Sequence, residues 1–138
     1  MNKTMVEKIR QIPGLYTAGG CTAEEVRLAQ ERLGLTFPPL FVDYVRTFGA
    51  ISFYGTEWCG LHVNGYLNVV TATLDAKARY PHFPAGFFVL EDLRIDGKQT
   101  VMNDLGQIYL LAPHKIIYSF EDMEAYLEHC IQRRDRMR

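Results

Sequence analysis

Long apolar runs are missing from these 138 residues: nowhere does the chain approach the roughly 18 to 20 consecutive apolar residues that cross a bilayer. Its opening, MNKTMVEKIRQIPG, also lacks the apolar stretch of a secretory leader, and no lipidation motif is present. Cysteine is scarce. Cys21, Cys59 and Cys130 are odd in number, widely spaced and without a CxxC pair, which suits reduced thiols better than a disulfide framework. A cytoplasmic protein with no membrane partner is therefore expected. Neither sign of charge dominates, with 15 Lys and Arg against 16 Asp and Glu and a formal net charge of −1. That is far from the basic balance on which phosphate-backbone binding draws, so direct nucleic-acid contact is not expected. Repeats, low-complexity tracts and Gly/Ser-rich linkers are absent too, which leaves residues 1–138 as one domain.

What is present is core material, at 48% hydrophobic and 12% aromatic residues, enough to exclude disorder for most of the length. The first third reads as helical. Met5, Ile9 and Ile12 share a face before Pro13-Gly14 stops the turn. Thr22-Ala23-Glu24-Glu25 is a capping box, followed by the stripe Val26, Ala29 and Leu33 and then Gly34. Pro38-Pro39 suits the first turn of a further helix, along which Phe41, Tyr44, Val45 and Phe48 follow at i, i+3, i+4 and i+7 until Gly49.

After Gly49 the texture changes to short, aromatic, glycine-bounded strands at Ile51–Tyr54 and Glu57–Leu61. Residues 66–80 favour a helix capped by Asn68, although Val69, Val70, Thr71 and Thr73 are β-branched. Phe87–Leu93, Lys98–Met102 and Gln107–Leu111 then form an antiparallel meander through the turns Asp96-Gly97 and Asn103–Gly106, with Lys115–Tyr118 as a further strand. Ser119 is positioned to cap a closing helix whose Met123, Leu127, Cys130 and Ile131 share a face. The expectation is an α+β fold: N-terminal helices, an antiparallel or mixed sheet of about five to six strands with a middle helix, and a closing C-terminal helix with a basic, frayed tail at 133–138.

Candidate chemistry is thin. Cys59-Gly-Leu-His62 has the spacing of half a zinc site, with His82 and His114 as a conceivable other half, but no second clustered pair completes four ligands. A Cys59/His62 nucleophile is the enzymatic reading of the same residues. Gly19-Gly20 before a helix lacks the lysine and spacing of a P-loop, so turn chemistry accounts for it. Glu91-Asp92 and Glu121-Asp122 are adjacent carboxylates that diverge on strand or helix, and solvated charge accounts for them. No catalytic residue, metal or cofactor is expected.

Charge is nevertheless unevenly distributed. Residues 1–56 carry six bases and five acids, 57–128 carry five bases and ten acids, and 129–138 carry four arginines and one aspartate. Five excess negative charges in the sheet-bearing segment would steer a basic partner, and Tyr54, Trp58, Tyr66 and Tyr109 supply aromatics of the kind that anchor interfaces.

The run from Thr22 through Leu35-TFPP-Leu40 to FVDYVRTFGAISFYG, with an acidic helix, a proline break, a helix ending in Phe-Gly and a short aromatic strand, resembles the opening of the SUKH superfamily. Glu57-WCGL, the stretch from Asn68 to YLL, and Ser119-FEDMEAYL are similar to its bacterial YobK-like branch, so that about residues 22 to 130 are covered. The resemblance implies a non-enzymatic immunity protein, usually encoded beside a polymorphic toxin, that binds and blocks the toxin's C-terminal domain, often a nuclease; the acidic segment would suit a basic one. It also implies fold-shaping roles for Phe48, Gly49, Trp58 and Gly60, and aligns either Lys77 or Arg79 with a basic position of the middle helix. Together with the acidic segment, it nominates Tyr54, Glu57, Trp58, Asp96 and Asp104 as partner-binding residues. The alternative is a cytosolic scaffold or regulatory binding module of the same fold. Neither reading fixes the oligomeric state.

Overall fold

Five helices and seven strands make up the computed structural model, which describes residues 3–136, with side chains described as far as Arg133. Helix α1 (Met5–Arg10) is capped by the Thr4 hydroxyl, and α2 (Ala23–Leu33) by the full Thr22/Glu25 capping box before Gly34 turns left-handed. Helix α3 (Pro39–Phe48) starts on proline, which needs no amide there, and buries Phe41, Tyr44, Val45 and Phe48. Helix α4 (Val69–Arg79) forms despite its β-branched start. The Asn68 carboxamide oxygen accepts from the amides of Val70 and Thr71, so the cap and a buried face of Val69, Val70, Thr73 and Ala76 outweigh propensity.

Strands β1 (Tyr16–Thr17), β2 (Ile51–Phe53) and β3 (Thr56–Trp58) form one antiparallel sheet in that order. Strands β4 (Phe87–Asp92), β5 (Gln99–Asn103), β6 (Ile108–Ala112) and β7 (Lys115–Phe120) form a second, a four-stranded antiparallel meander. The α+β expectation thus holds, but with two sheets in place of one and with β1 unforeseen, because two exposed residues carry no hydrophobic pattern. The sheets meet where the Cys59 amide donates to the Leu90 carbonyl (2.6 Å).

Helix α5 (Met123–Arg136) closes the fold over one face of the meander. Its cap is Asp122, whose carboxylate accepts from the Ala125 amide (2.8 Å), and not Ser119 as expected; β7 runs two residues longer and absorbs Ser119 and Phe120. The basic tail is likewise corrected in part: the helix continues through Arg136, and Arg133 is tied into the interior, while positions 137 and 138 lie outside the described residues. One hydrophobic cluster joins α1 through α5 and both sheets. At its centre Trp58 meets Tyr44 edge-on and stacks on Tyr126.

Three backbone segments converge beneath this core. A Cβ on Gly60 would collide with the Gly49 carbonyl, and one on Gly49, at φ +74°, with the Gly19 carbonyl. Only glycine permits that approach. Of the positions the resemblance singles out as fold-shaping, Phe48 and Trp58 are buried and Gly49 and Gly60 make this close contact. Lys77 and Arg79 both lie exposed in the last turn of α4, and Arg79 pairs with Asp75 at 3.0 Å.

Candidate protein-interaction surface

The clearest preorganised feature on the surface is Tyr66. It sits in a 3-10 turn, Gly65–Leu67, that is held at both ends. Gly60 donates its amide to Leu67 O and accepts from the Val69 amide, both at 2.8 Å, while the Asn68 carboxamide donates to Val63 O. Tyr66 is 54% exposed, yet its ring is fixed. Its hydroxyl donates to the Glu57 carboxylate (2.8 Å), and the Arg94 guanidinium lies over its face, 3.9 Å from the centroid.

Each partner is placed by local chain chemistry. In β3 the side chains alternate, so Thr56 and Trp58 point inward and Glu57 outward. Arg94 follows β4 in a tight turn that opens with the Asp92 carboxylate accepting the Arg94 amide (2.9 Å). Both Arg94 (φ +56°) and Asp96 (φ +54°) occupy left-handed backbone, a conformation costing roughly 1 to 2 kcal/mol for each non-glycine residue. Two backbone hydrogen bonds hold the turn in that state, Leu93 N to Lys98 O and Lys98 N to Ile95 O. At the turn's apex Ile95 is 61% exposed.

The nominated residues separate. Glu57 joins the Tyr66 cluster. Asp96 lies in the β4–β5 turn with Arg94, and Asp104 lies in the β5–β6 turn, at the opposite end of five-residue β5, about 17 Å away along the strand. Tyr54 occupies the β2–β3 turn at φ +45°, its ring beside Gly14. Trp58 is wholly buried and belongs to the core, so it is not available to a partner in the folded chain. Tyr109 lies half-buried on β6, with its ring against Phe87.

Nor does the acidic segment form one face. Glu91 is only 3% exposed, contrary to the solvated charge expected of it, and Glu124 is paired with Lys8 (3.3 Å). Sequence reasoning passed over Arg94 and Ile95, and took Asp92 only as one of a pair of solvated acids. The available signal was the Asp92-x-Arg94 spacing of a side-chain-closed turn just before Asp96-Gly97.

The residues considered for nucleophilic or metal chemistry are dispersed. Cys59 is buried and its thiol contacts Tyr66 O (3.6 Å). Burial first, then the carboxylates of Glu91, Asp92 and Glu57, push that thiol far above its ordinary range, so the thiolate is disfavoured. His62 points instead to the Glu25 carboxylate on α2 (3.3 Å), which the Thr22 amide and then His62 hold below the usual range. His82 and His114 do meet, with ring centroids 5.9 Å apart, but in a cleft beside β6 and β7 that neither Cys59 nor His62 lines. Among the described residues no three potential ligands gather around a common point, and no helix is long and apolar enough to cross a membrane. No protein-family model matches this chain, and no curated protein matches it either.

Proposed function

We propose that this chain is a toxin-neutralising immunity protein that acts by protein–protein contact through the surface around Tyr66. The carrying observation is the posture of that ring, exposed and yet immobilised by Glu57 below and Arg94 above. An aromatic that is already ordered loses little conformational freedom on binding, which is how interface anchors achieve affinity. Ile95 adds apolar area, and the carboxylates of Asp92 and Asp96 flank it in sequence on the same turn. A basic partner, such as a nuclease domain, suits that mixture, since rim acids accelerate encounter and a desolvated aromatic retards release. The similarity of motif order to the SUKH superfamily supports the immunity reading, and the Tyr66 cluster supports this surface as the one that carries it.

Co-expression with the toxin that this reading expects to be encoded beside the gene, combined with binding kinetics on the purified pair, tests the proposal. Tyr66→Ala is expected to speed dissociation about tenfold or more, a loss of at least about 1.4 kcal/mol. Asp92→Asn with Asp96→Asn is expected to slow association and flatten its salt dependence. A Tyr66→Ala chain that unfolds like the parent, binds with the parent's kinetics and still protects cells would overturn the assignment of this surface.

A further inference from the structure

The meander has two faces. Helix α5 covers one of them, whereas α4 meets the meander chiefly at β4, where the Thr73 hydroxyl accepts from the Val89 amide (3.0 Å). Beyond that contact Phe87, Val101, Tyr109, Leu111 and Ile116 form an apolar floor with one residue or more from every strand. The register puts them on a common side, since Val101 pairs with Tyr109 and Leu111 with Ile116. The loop before β4 and the β6–β7 turn rise as walls, enclosing a cleft of about 640 Å³.

One end of the cleft is polar in a one-sided way. His82 from the loop and His114 from the turn meet edge to face at 5.9 Å, and Lys115 follows directly. No acidic side chain lines the cleft, and none of the ion pairs among the described residues uses these three groups. Two imidazoles able to donate and an ammonium that can only donate border an apolar trough that no carboxylate lines. An anionic headgroup supplies the missing counter-charge.

We propose that this cleft binds a monoanionic amphiphile, a carboxylate whose head lies against His82, His114 and Lys115 and whose apolar body crosses the floor. From β4 to β7 the floor spans three interstrand spacings, about 14 Å, which is the length of a medium aliphatic chain. Charge-assisted hydrogen bonds fix the head, and burial of the chain supplies the rest. The same cationic end disfavours a basic protein, so this site is separate in chemistry from the surface around Tyr66.

Dodecanoate, kept monomeric and titrated into the full chain with amide chemical shifts as the readout, is the test. Saturable binding is expected with a Kd on the order of tens of micromolar, the range for a ligand of that size, with shifts concentrated on β4–β7. Dodecyltrimethylammonium, with the same tail and the opposite charge, should bind about tenfold more weakly, and a His114→Gln/Lys115→Gln chain should lose about tenfold toward dodecanoate alone. Ile116→Glu, at a position 62% exposed, should remove binding and leave thermal unfolding unchanged. Equal affinity for the two amphiphiles, insensitivity to the double substitution, or no saturation would overturn the proposal. So would a concentration-dependent dimer that Ile116→Glu dissolves, because the cleft would then belong to a second copy.

Discussion

At the scale of the residue, Trp58 shows how far chemistry type underdetermines role. A lone tryptophan beside an acid is what an interface anchor looks like in sequence, and it is also what a core ring looks like. The three-residue strand Thr56–Trp58 is too short for alternation to choose between them. Packing chooses: the ring lies between Tyr44 and Tyr126, and its indole N–H, beside the Cys130 sulfur, reaches no oxygen. Two opposing terms follow. Truncation removes a large buried ring, whereas a phenyl ring retains much of the packing and eliminates an unsatisfied donor. Trp58→Ala is therefore expected to cost about 3 to 5 kcal/mol and Trp58→Phe only about 1 to 2 kcal/mol, as read from urea unfolding. Equal costs would mean that the N–H is satisfied and that the indole's own shape carries the packing.

Elements were legible in proportion to how local their causes are. The Thr22/Glu25 box, the Phe41–Phe48 stripe and the Asn68 cap are written within a few residues, and α2, α3 and α4 appear where those signals put them. The last helix was misplaced at its start because Ser119 and Asp122 are both competent caps, and only pairing of Ser119 with Tyr109 across β6 and β7 decides between them. Of the candidate surface, Tyr66 and Glu57 were visible as residue types, while Arg94 was not: its role depends on a turn bringing it over a ring 28 positions earlier. Glycines illustrate the same divide. Gly34 ends α2 at φ +65° with open space around it, so Gly34→Ala should cost about 1 kcal/mol of local strain. Gly60→Ala drives a methyl into the Gly49 backbone, which cannot swing aside as a side chain would, and should cost about 3 kcal/mol or more. Chemical denaturation of the two variants side by side checks this ranking; comparable losses would show that the 49/60 contact yields easily.

At the scale of the whole molecule, α5 is the bracket between the two sheets. The Arg133 guanidinium donates to Thr56 Oγ1 on β3 (2.8 Å) and to the Glu91 carboxylate on β4 (3.1 Å), and Tyr126 donates to Glu91 (2.5 Å) while accepting from Thr100 (2.9 Å). Arg133 and Glu91 are 42 positions apart, which is why sequence alone left Glu91 as a solvated acid. Burial is the largest influence on that carboxyl and raises its pKa. Arg133, Tyr126 and the Glu57 amide pull it down without cancelling the rise. Folding thus favours the protonated form of Glu91 relative to the unfolded chain, and its contribution is most favourable below the unfolded value near 4.3, declining as pH rises through the folded one. Removing the counter-charge exaggerates this. In Arg133→Ala the carboxylate is left buried and unpaired at neutral pH, a defect of about 3 to 5 kcal/mol, but taking up a proton relieves part of it. The penalty for Arg133→Ala should accordingly be larger at pH 8 than at pH 5, and in the background of Glu91→Gln, which keeps a neutral partner for Tyr126, the pH dependence of that penalty should vanish. Denaturant unfolding of the parent, both single variants and the double variant at the two pH values measures the cycle; a penalty independent of pH in the Glu91 background would mean that α5 is held by its apolar face of Met123, Leu127 and Cys130, with the ion pair adding nothing to closure.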